Sequence, residues 1–212
     1  MIQITPAILT DKIEFFELEL EKLNDFYSCD IDLIKPPYVN NRSVGLVEVL
    51  PILLKSRISS IGFHLMEFQP MEDVHLILNS KLNFVRIYLQ QETEISEFIE
   101  LTLPTEYTKG VSIEINSSLK SIEFYNRFKE VQFMSIEIGK QGNTFQDKVF
   151  EKIKKLREMG YLGRISIDGS VNLDTAIEIR KNKIDRVSVG SYFSRSENIK
   201  RSFELLDQAL NS

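Results

Sequence analysis

The sequence predicts an α/β protein of the (β/α)8 barrel type, the TIM-barrel architecture, and three features carry that expectation. Short apolar runs of strand length alternate with longer amphipathic segments along all 212 residues. Eight such pairs can be counted, the number that closes a parallel sheet on itself. The eighth amphipathic segment is the last in the sequence, so no further element is on hand to cover an open sheet edge.

Residues 3–9, 29–34, 61–66, 84–89, 111–115, 133–138, 164–168 and 186–189 read as strands, being short and rich in Ile, Val and Phe. The segment after each reads as a helix. Residues 11–23 and 44–54 follow the first two strands with an apolar stripe at helical spacing, and 72–78 and 95–101 are shorter segments of the same kind. After 121–128 comes the clearest one, 145–159, where Phe145, Val149, Phe150, Ile153 and Leu156 form one stripe. Lys152, Lys154 and Lys155 stay outside it, and Gly160 stands where a left-handed helix end is expected. Residues 173–181 and 197–210 complete the set. At about 26 residues per strand–helix unit the barrel is near the small end of its kind, so loops must be short. The whole chain, 1–212, therefore reads as one domain.

Composition narrows the partners. A net charge of −5 with no basic run argues against nucleic acid or an anionic membrane. No apolar run approaches the ~20 residues that span a bilayer, and the N-terminus lacks the basic and apolar regions of a secretion signal. The single cysteine, Cys29, leaves no internal disulfide framework and fits a reducing, cytoplasmic setting.

In barrels of this kind chemistry sits at the C-terminal ends of the strands. The second strand carries Asp30-Ile31-Asp32, and alternation puts both carboxylates on one face, inside or at the mouth of the barrel. His64 stands near the end of the third strand and Asp168 ends the seventh, so Asp30, Asp32, His64 and Asp168 are expected to converge. Buried carboxylates at that density repel one another unless a cation or shared protons offset the charge. Three oxygen donors with one imidazole suit a divalent metal. Taken singly, each acid is explained as well by a loop cap or by a Lys or Arg partner. His75 lies mid-helix beside Val74 and Leu76 and reads as a surface or packing residue.

Glycine marks a second cluster. Asp168-Gly169-Ser170-Val171-Asn172 and Val189-Gly190-Ser191-Tyr192-Phe193 end the last two strands, where backbone N–H groups can approach an anion closely. Loops after strands seven and eight are the frequent phosphate site of these barrels. A third glycine loop, Gly139-Lys140-Gln141-Gly142-Asn143-Thr144, follows the sixth strand and can close over a ligand.

Taken together and in order, these motifs resemble the ribulose-phosphate 3-epimerase family over nearly the whole chain. Ile4-Thr5-Pro6-Ala7-Ile8-Leu9 is similar to the family's opening I-S-P-S-I-L, Asp30-Ile31-Asp32 stands at its H-V-D, and His64-Leu65-Met66 repeats its H-L-M. Met134-Ser135-Ile136 begins the segment that reads M-S-V-N-P-G-F-G-G-Q in the family, Asp168-Gly169-Ser170-Val171 matches D-G-G-V, and Gly190-Ser191-Tyr192-Phe193 matches G-S-x-I/F. The resemblance implies a ribulose-phosphate-binding barrel that inverts C3 of a ketose 5-phosphate. Asp32 and Asp168 would be the two catalytic acids, with a divalent metal on the family's two histidines and these two aspartates. It further implies a phosphate held by Gly142, Gly169, Ser170, Gly190 and Ser191, and an apolar cap of Met66, Met134 and Ile34. A small phosphorylated sugar as partner and a homo-oligomer are expected on the same ground.

Departures fall at the sugar end. The family's first metal histidine is Asp30 here, which makes the expected metal set Asp30, Asp32, His64 and Asp168 and tilts the choice among Mn²⁺, Mg²⁺, Zn²⁺ and Fe²⁺ towards the first two. The family's substrate-contacting serine is Ala7, its strand-four histidine is Tyr88, an acid after strand two is Lys35, and Glu137 adds an acid near the mouth. Two other readings stand beside the epimerase: a catalytically impaired barrel that binds a sugar phosphate, and a lyase or decarboxylase of the related phosphate-binding barrels.

Overall fold

A computed structural model describes residues 1–138 and 143–212 and shows a closed barrel of eight parallel strands whose order follows the sequence. The strands are β1 (Gln3–Ile8), β2 (Ser28–Ile34), β3 (Ser60–Met66), β4 (Phe84–Gln90), β5 (Thr108–Ile113), β6 (Glu130–Met134), β7 (Arg164–Asp168) and β8 (Arg186–Val189). Closure comes from β8 pairing with β1 in the register Gln3↔Arg186 to Pro6↔Val189. Helices α1 (Ile13–Lys22), α2 (Leu46–Leu53), α3 (Met71–Asn79), α4 (Ser96–Glu100) and α5 (Ile122–Tyr125) carry the chain back between strands. Next come α6 (Lys148–Glu158) and α7 (Leu173–Lys181), then a single turn, α8 (Ser191–Ser194), and α9 (Ile199–Asn211). The two ends of the chain are stitched together: the Ile2 amide donates to Asn211 Oδ1 at 2.6 Å, and Asn211 Nδ2 returns a bond to the Ile2 carbonyl at 3.0 Å.

Both faces of the strands are largely buried, yet their chemistry differs. On β2, Cys29, Ile31 and Leu33 join the apolar core between sheet and helices, while Ser28, Asp30 and Asp32 do not. The same split separates Ile165 and Ile167 from Ser166 and Asp168 on β7, and Val187 and Val189 from Arg186 and Ser188 on β8. Strands of a parallel sheet usually read as continuous apolar runs because both faces meet apolar neighbours. Here the lumen is polar, so the strands keep a period of two. Hydrophobic stabilisation is concentrated in the outer shell, where α6 contributes Val149, Ile153 and Leu156, each burial worth about 1.5–3 kcal/mol.

Polar lumen positions also explain where the strand boundaries differ from expectation. β6 was expected over 133–138 and runs Glu130–Met134, because Glu130 and Gln132 face inward and broke the apolar pattern. β5 likewise starts earlier than expected, at Thr108.

Candidate active site and metal centre

The lower lumen is a closed set of charges. Arg186, with no exposed surface, donates from Nε to Glu130 Oε1 at 2.9 Å, from Nη2 to the Tyr88 hydroxyl at 2.9 Å, and from Nη1 to Asp30 Oδ2. Arg86 Nη2 reaches Asp30 Oδ1 at 2.9 Å and Ser28 Oγ at 2.8 Å, and Ser188 Oγ donates to Asp30 Oδ2 at 2.8 Å. Gly62 is required beside this group, since a Cβ there would lie 2.0 Å from Asp30 Oδ1. Burial alone would push the Asp30 carboxyl up, but Arg186 and Arg86 hold it down at about 2.

This corrects the expectation for Asp30. It does point into the barrel beside Asp32, but both its oxygens are committed to guanidinium and hydroxyl donors, and it is not among the groups whose ligand atoms converge. The partners were available in the sequence: Arg86 and Arg186 occupy inward positions of β4 and β8, and an acid among them needs no metal. Tyr88 belongs to the same network.

Above it, three groups do converge. One ligand atom each from Asp32, His64 and Asp168 lies within 4.8 Å of the others, and all three residues are buried. β2 and β3 set Asp32 against His64 in register, while Asp168 arrives from β7 beside Met134. His64 Nδ1 is 3.4 Å from Asp32 Oδ1 and 3.4 Å from Asp168 Oδ2. Among the described residues neither His64 Nδ1 nor Asp32 Oδ1 has a hydrogen-bond partner, although both are buried. Gln132 Nε2 donates to Asp168 Oδ2 at 2.7 Å, and the Gln90 amide meets His64 Nε2 at 2.6 Å. Neither glutamine was anticipated; their inward parity on β4 and β6 was the available signal.

The electrostatics follow from that crowding. Burial and the neighbouring Asp168 carboxylate push Asp32 up to about 6. Burial would lower His64, but Asp168 and Asp32 override it and raise the imidazole to about 9. Two unpartnered ligand atoms facing each other across a few ångströms, with two carboxylates and one imidazole as donors, fit a divalent cation.

Around the mouth, Met66, Met134 and Ile34 are buried yet stand outside the main apolar core, as lumen positions do. Gly169 holds φ +115° where a Cβ would lie 2.6 Å from the Ile136 side chain, and Ser170 follows with φ 49°. Ser170 Oγ donates to the Asn143 carbonyl, tying the segment after β6 to the loop after β7. Asn172 Oδ1 then caps α7 by accepting from the Asp174 and Thr175 amides. Gly190 is the residue before α8, with Ser191 its first member. Gly142, with Gly139, Lys140 and Gln141 of the expected glycine loop, lies outside the described residues. His75 is exposed and 3.3 Å from Glu97 on α4.

A segment the sequence left unexplained spans the mouth. After β2, Lys35 pairs with Glu67 at 3.1 Å and Asp73 at 2.8 Å. Tyr38 then packs edge-on against Phe68 and donates its hydroxyl to Glu114, beyond β5. Ser43 closes the excursion, its Oγ accepting from the Ile34 amide at 2.9 Å.

Comparison with known proteins agrees with this architecture. A model of the ribulose-phosphate 3-epimerase family matches residues 3–194. A ribulose-phosphate 3-epimerase of Helicobacter pylori is 23% identical over 218 residues, covering 100% of this chain and 99% of its own. One from Mycoplasma genitalium is 28% identical over 153 residues, 68% of this chain and 71% of its own. Among solved structures, 3-hexulose-6-phosphate synthase of Salmonella typhimurium superimposes with a TM-score of 0.73 at 12% identity, covering 99% of this chain and 98% of that one. The 3-keto-L-gulonate-6-phosphate decarboxylase of Vibrio cholerae gives 0.70 at 10% identity, covering 99% and 97%. At such identities these two structures speak to the fold.

Proposed function

The chain belongs to the ribulose-phosphate 3-epimerase family and is an epimerase-type enzyme, and from that premise we propose that it inverts C3 of ribulose 5-phosphate or a related ketose phosphate. The observation that carries the reading is the convergence of Asp32 and Asp168, from two non-adjacent strands, on His64. One aspartate takes the C3 proton, and the C–H electron pair becomes a C2=C3 bond as the carbonyl π pair moves onto the C2 oxygen to give an enediolate. The other aspartate returns a proton to the opposite face of C3 as the carbonyl re-forms. Burial and the neighbouring Asp168 carboxylate raise the proton affinity of Asp32, the direction that proton exchange near neutral pH requires. Gln132 holds Asp168 in place, and Met66, Met134 and Ile34 keep water from the reacting carbon. The phosphate rests on backbone N–H groups of Gly169–Ser170 and Gly190–Ser191, which follow the last two strands. Asp32, His64 and Asp168 would hold a divalent cation, which when bound supplies positive charge to the substrate's oxygens as the proton leaves.

Withdrawal of Asp30 from the ligand set favours a second reading, a barrel that binds a sugar phosphate without turning it over. Incubation with ribulose 5-phosphate and Mn²⁺ separates the two. The epimerase forms xylulose 5-phosphate, and the formation stops when a chelator is added; binding without any product would establish the other reading.

A further inference from the structure

We infer that Gln90 is a positioning residue for the cation site: its amide carbonyl accepts the Nε2 hydrogen of His64 and so leaves the Nδ1 lone pair facing Asp32 and Asp168. The inference rests on the cation reading of this site and adds a residue to it. His64 has only two hydrogen-bonding atoms. Nδ1 is 3.4 Å from each carboxylate, and Nε2 meets the Gln90 amide nitrogen at 2.6 Å, while Gln90 Oε1 is buried with no partner among the described residues.

The two ends of a glutamine amide fill nearly the same volume, and hydrogen bonding decides which faces a ring nitrogen. With the nitrogen inward, Nε2 must be the acceptor, the ring hydrogen moves to Nδ1 and blocks a cation there, and the carbonyl stays stranded. With the carbonyl inward, Nε2–H is satisfied and Nδ1 is free to ligate. A ligating imidazole characteristically gives its other N–H to such an acceptor, which fixes its tautomer and orientation. Gln132 makes the contrast clear. It faces Asp168 Oδ2, a carboxylate oxygen that only accepts, so its amide nitrogen must donate. Gln90 and Gln132, both buried, thus hold two of the three ligands through opposite ends of their amides.

The test is Mn²⁺ binding to the whole chain, followed by electron paramagnetic resonance, for wild type, Gln90→Glu and Gln90→Leu. Glutamate keeps an acceptor against Nε2–H and should bind Mn²⁺ at least as tightly as wild type. Leucine should bind about 10–100-fold more weakly, the usual effect of losing such a partner. Equal weakening in both variants, or none in Gln90→Leu, would overturn the assignment. A second readout does not depend on the metal. In a His75→Asn background, ¹⁵N resonances report His64 alone, and at alkaline pH, where the metal-free imidazole is neutral, Nε2 rather than Nδ1 should be the protonated nitrogen. A pyridine-like Nε2 would overturn the role of Gln90 directly. Failure of the wild type to bind Mn²⁺ would refute the cation reading, and with it the ligand-positioning role, even where Nε2 proved protonated.

Discussion

Two layers of one lumen, a single strand-step apart, handle buried charge in opposite ways. Asp30, Glu130, Arg86 and Arg186 balance one another, and their hydrogen bonds are nearly all satisfied. Asp32, His64 and Asp168 carry an excess of negative charge, with unpartnered buried atoms, Asp32 raised to about 6 and His64 raised to about 9. The lower layer is what a fold does with charge it must bury. The upper layer brings two acids and an imidazole together without an arginine to balance them, an arrangement that suits chemistry better than packing.

Changes in the upper layer should remove activity and spare the fold. Asp168→Asn and Asp32→Asn are each expected to lower the epimerisation rate by about 10²–10⁴-fold, the usual contribution of a general acid or base, with the circular dichroism spectrum unchanged. A variant that turns over normally would dissolve the contrast. Changes in the lower layer should do the reverse. Asp30→Asn strands two buried guanidinium groups, and urea denaturation should show a loss of about 3–5 kcal/mol. Adding Arg86→Met should recover part of that loss. Asp30→His should be no milder than Asp30→Asn, because it too abandons both arginines.

The two layers also respond to pH with opposite signs. Asp30 is lowered from 3.8 to about 2, so its stabilisation is present above pH 3.8 and is lost as pH falls through 2. His64 is raised from 6.5 to about 9; its contribution is present below pH 6.5 and is lost as pH rises through 9. Asp32, raised from 3.8 to about 6, adds to that second trend, since the folded state keeps its proton longer. Denaturation in a chelator should therefore show stability lost towards low pH through Asp30 and lost towards high pH first through Asp32, between 3.8 and 6, and then through His64, between 6.5 and 9. His64→Asn should flatten the last of these. The smallest effect is expected after β2, where Tyr38→Phe removes the bond to Glu114 and should cost about 0.5–1.5 kcal/mol of stability in urea denaturation.

Much of this was legible in the sequence, and the misses share a cause. β7, β8 and α7 fall where apolar runs and helical spacing put them, and the barrel follows from the count of eight. Asp32, His64 and Asp168 converge as alternation required. β6 was displaced because Glu130 and Gln132 look unlike strand residues until the lumen is known to be polar. Asp30 has the inward parity expected of it, but Arg86 and Arg186, at matching parity on distant strands, take both its oxygens, a pairing that no local pattern specifies. The turn Ser191–Ser194 was hidden inside a glycine motif. Tyr38 reaching Glu114 joins residues 76 apart, a contact that no local pattern announces.

The central claim is that Asp32 and Asp168 move the C3 proton, and deuterium wash-in tests it most directly. Ribulose 5-phosphate incubated with the protein and Mn²⁺ in D₂O should return the C3-inverted sugar carrying deuterium at C3, and Asp168→Asn should show no inversion. Inversion with the original C3 hydrogen retained, or an absence of exchange on every ketose phosphate that the protein binds, would contradict it.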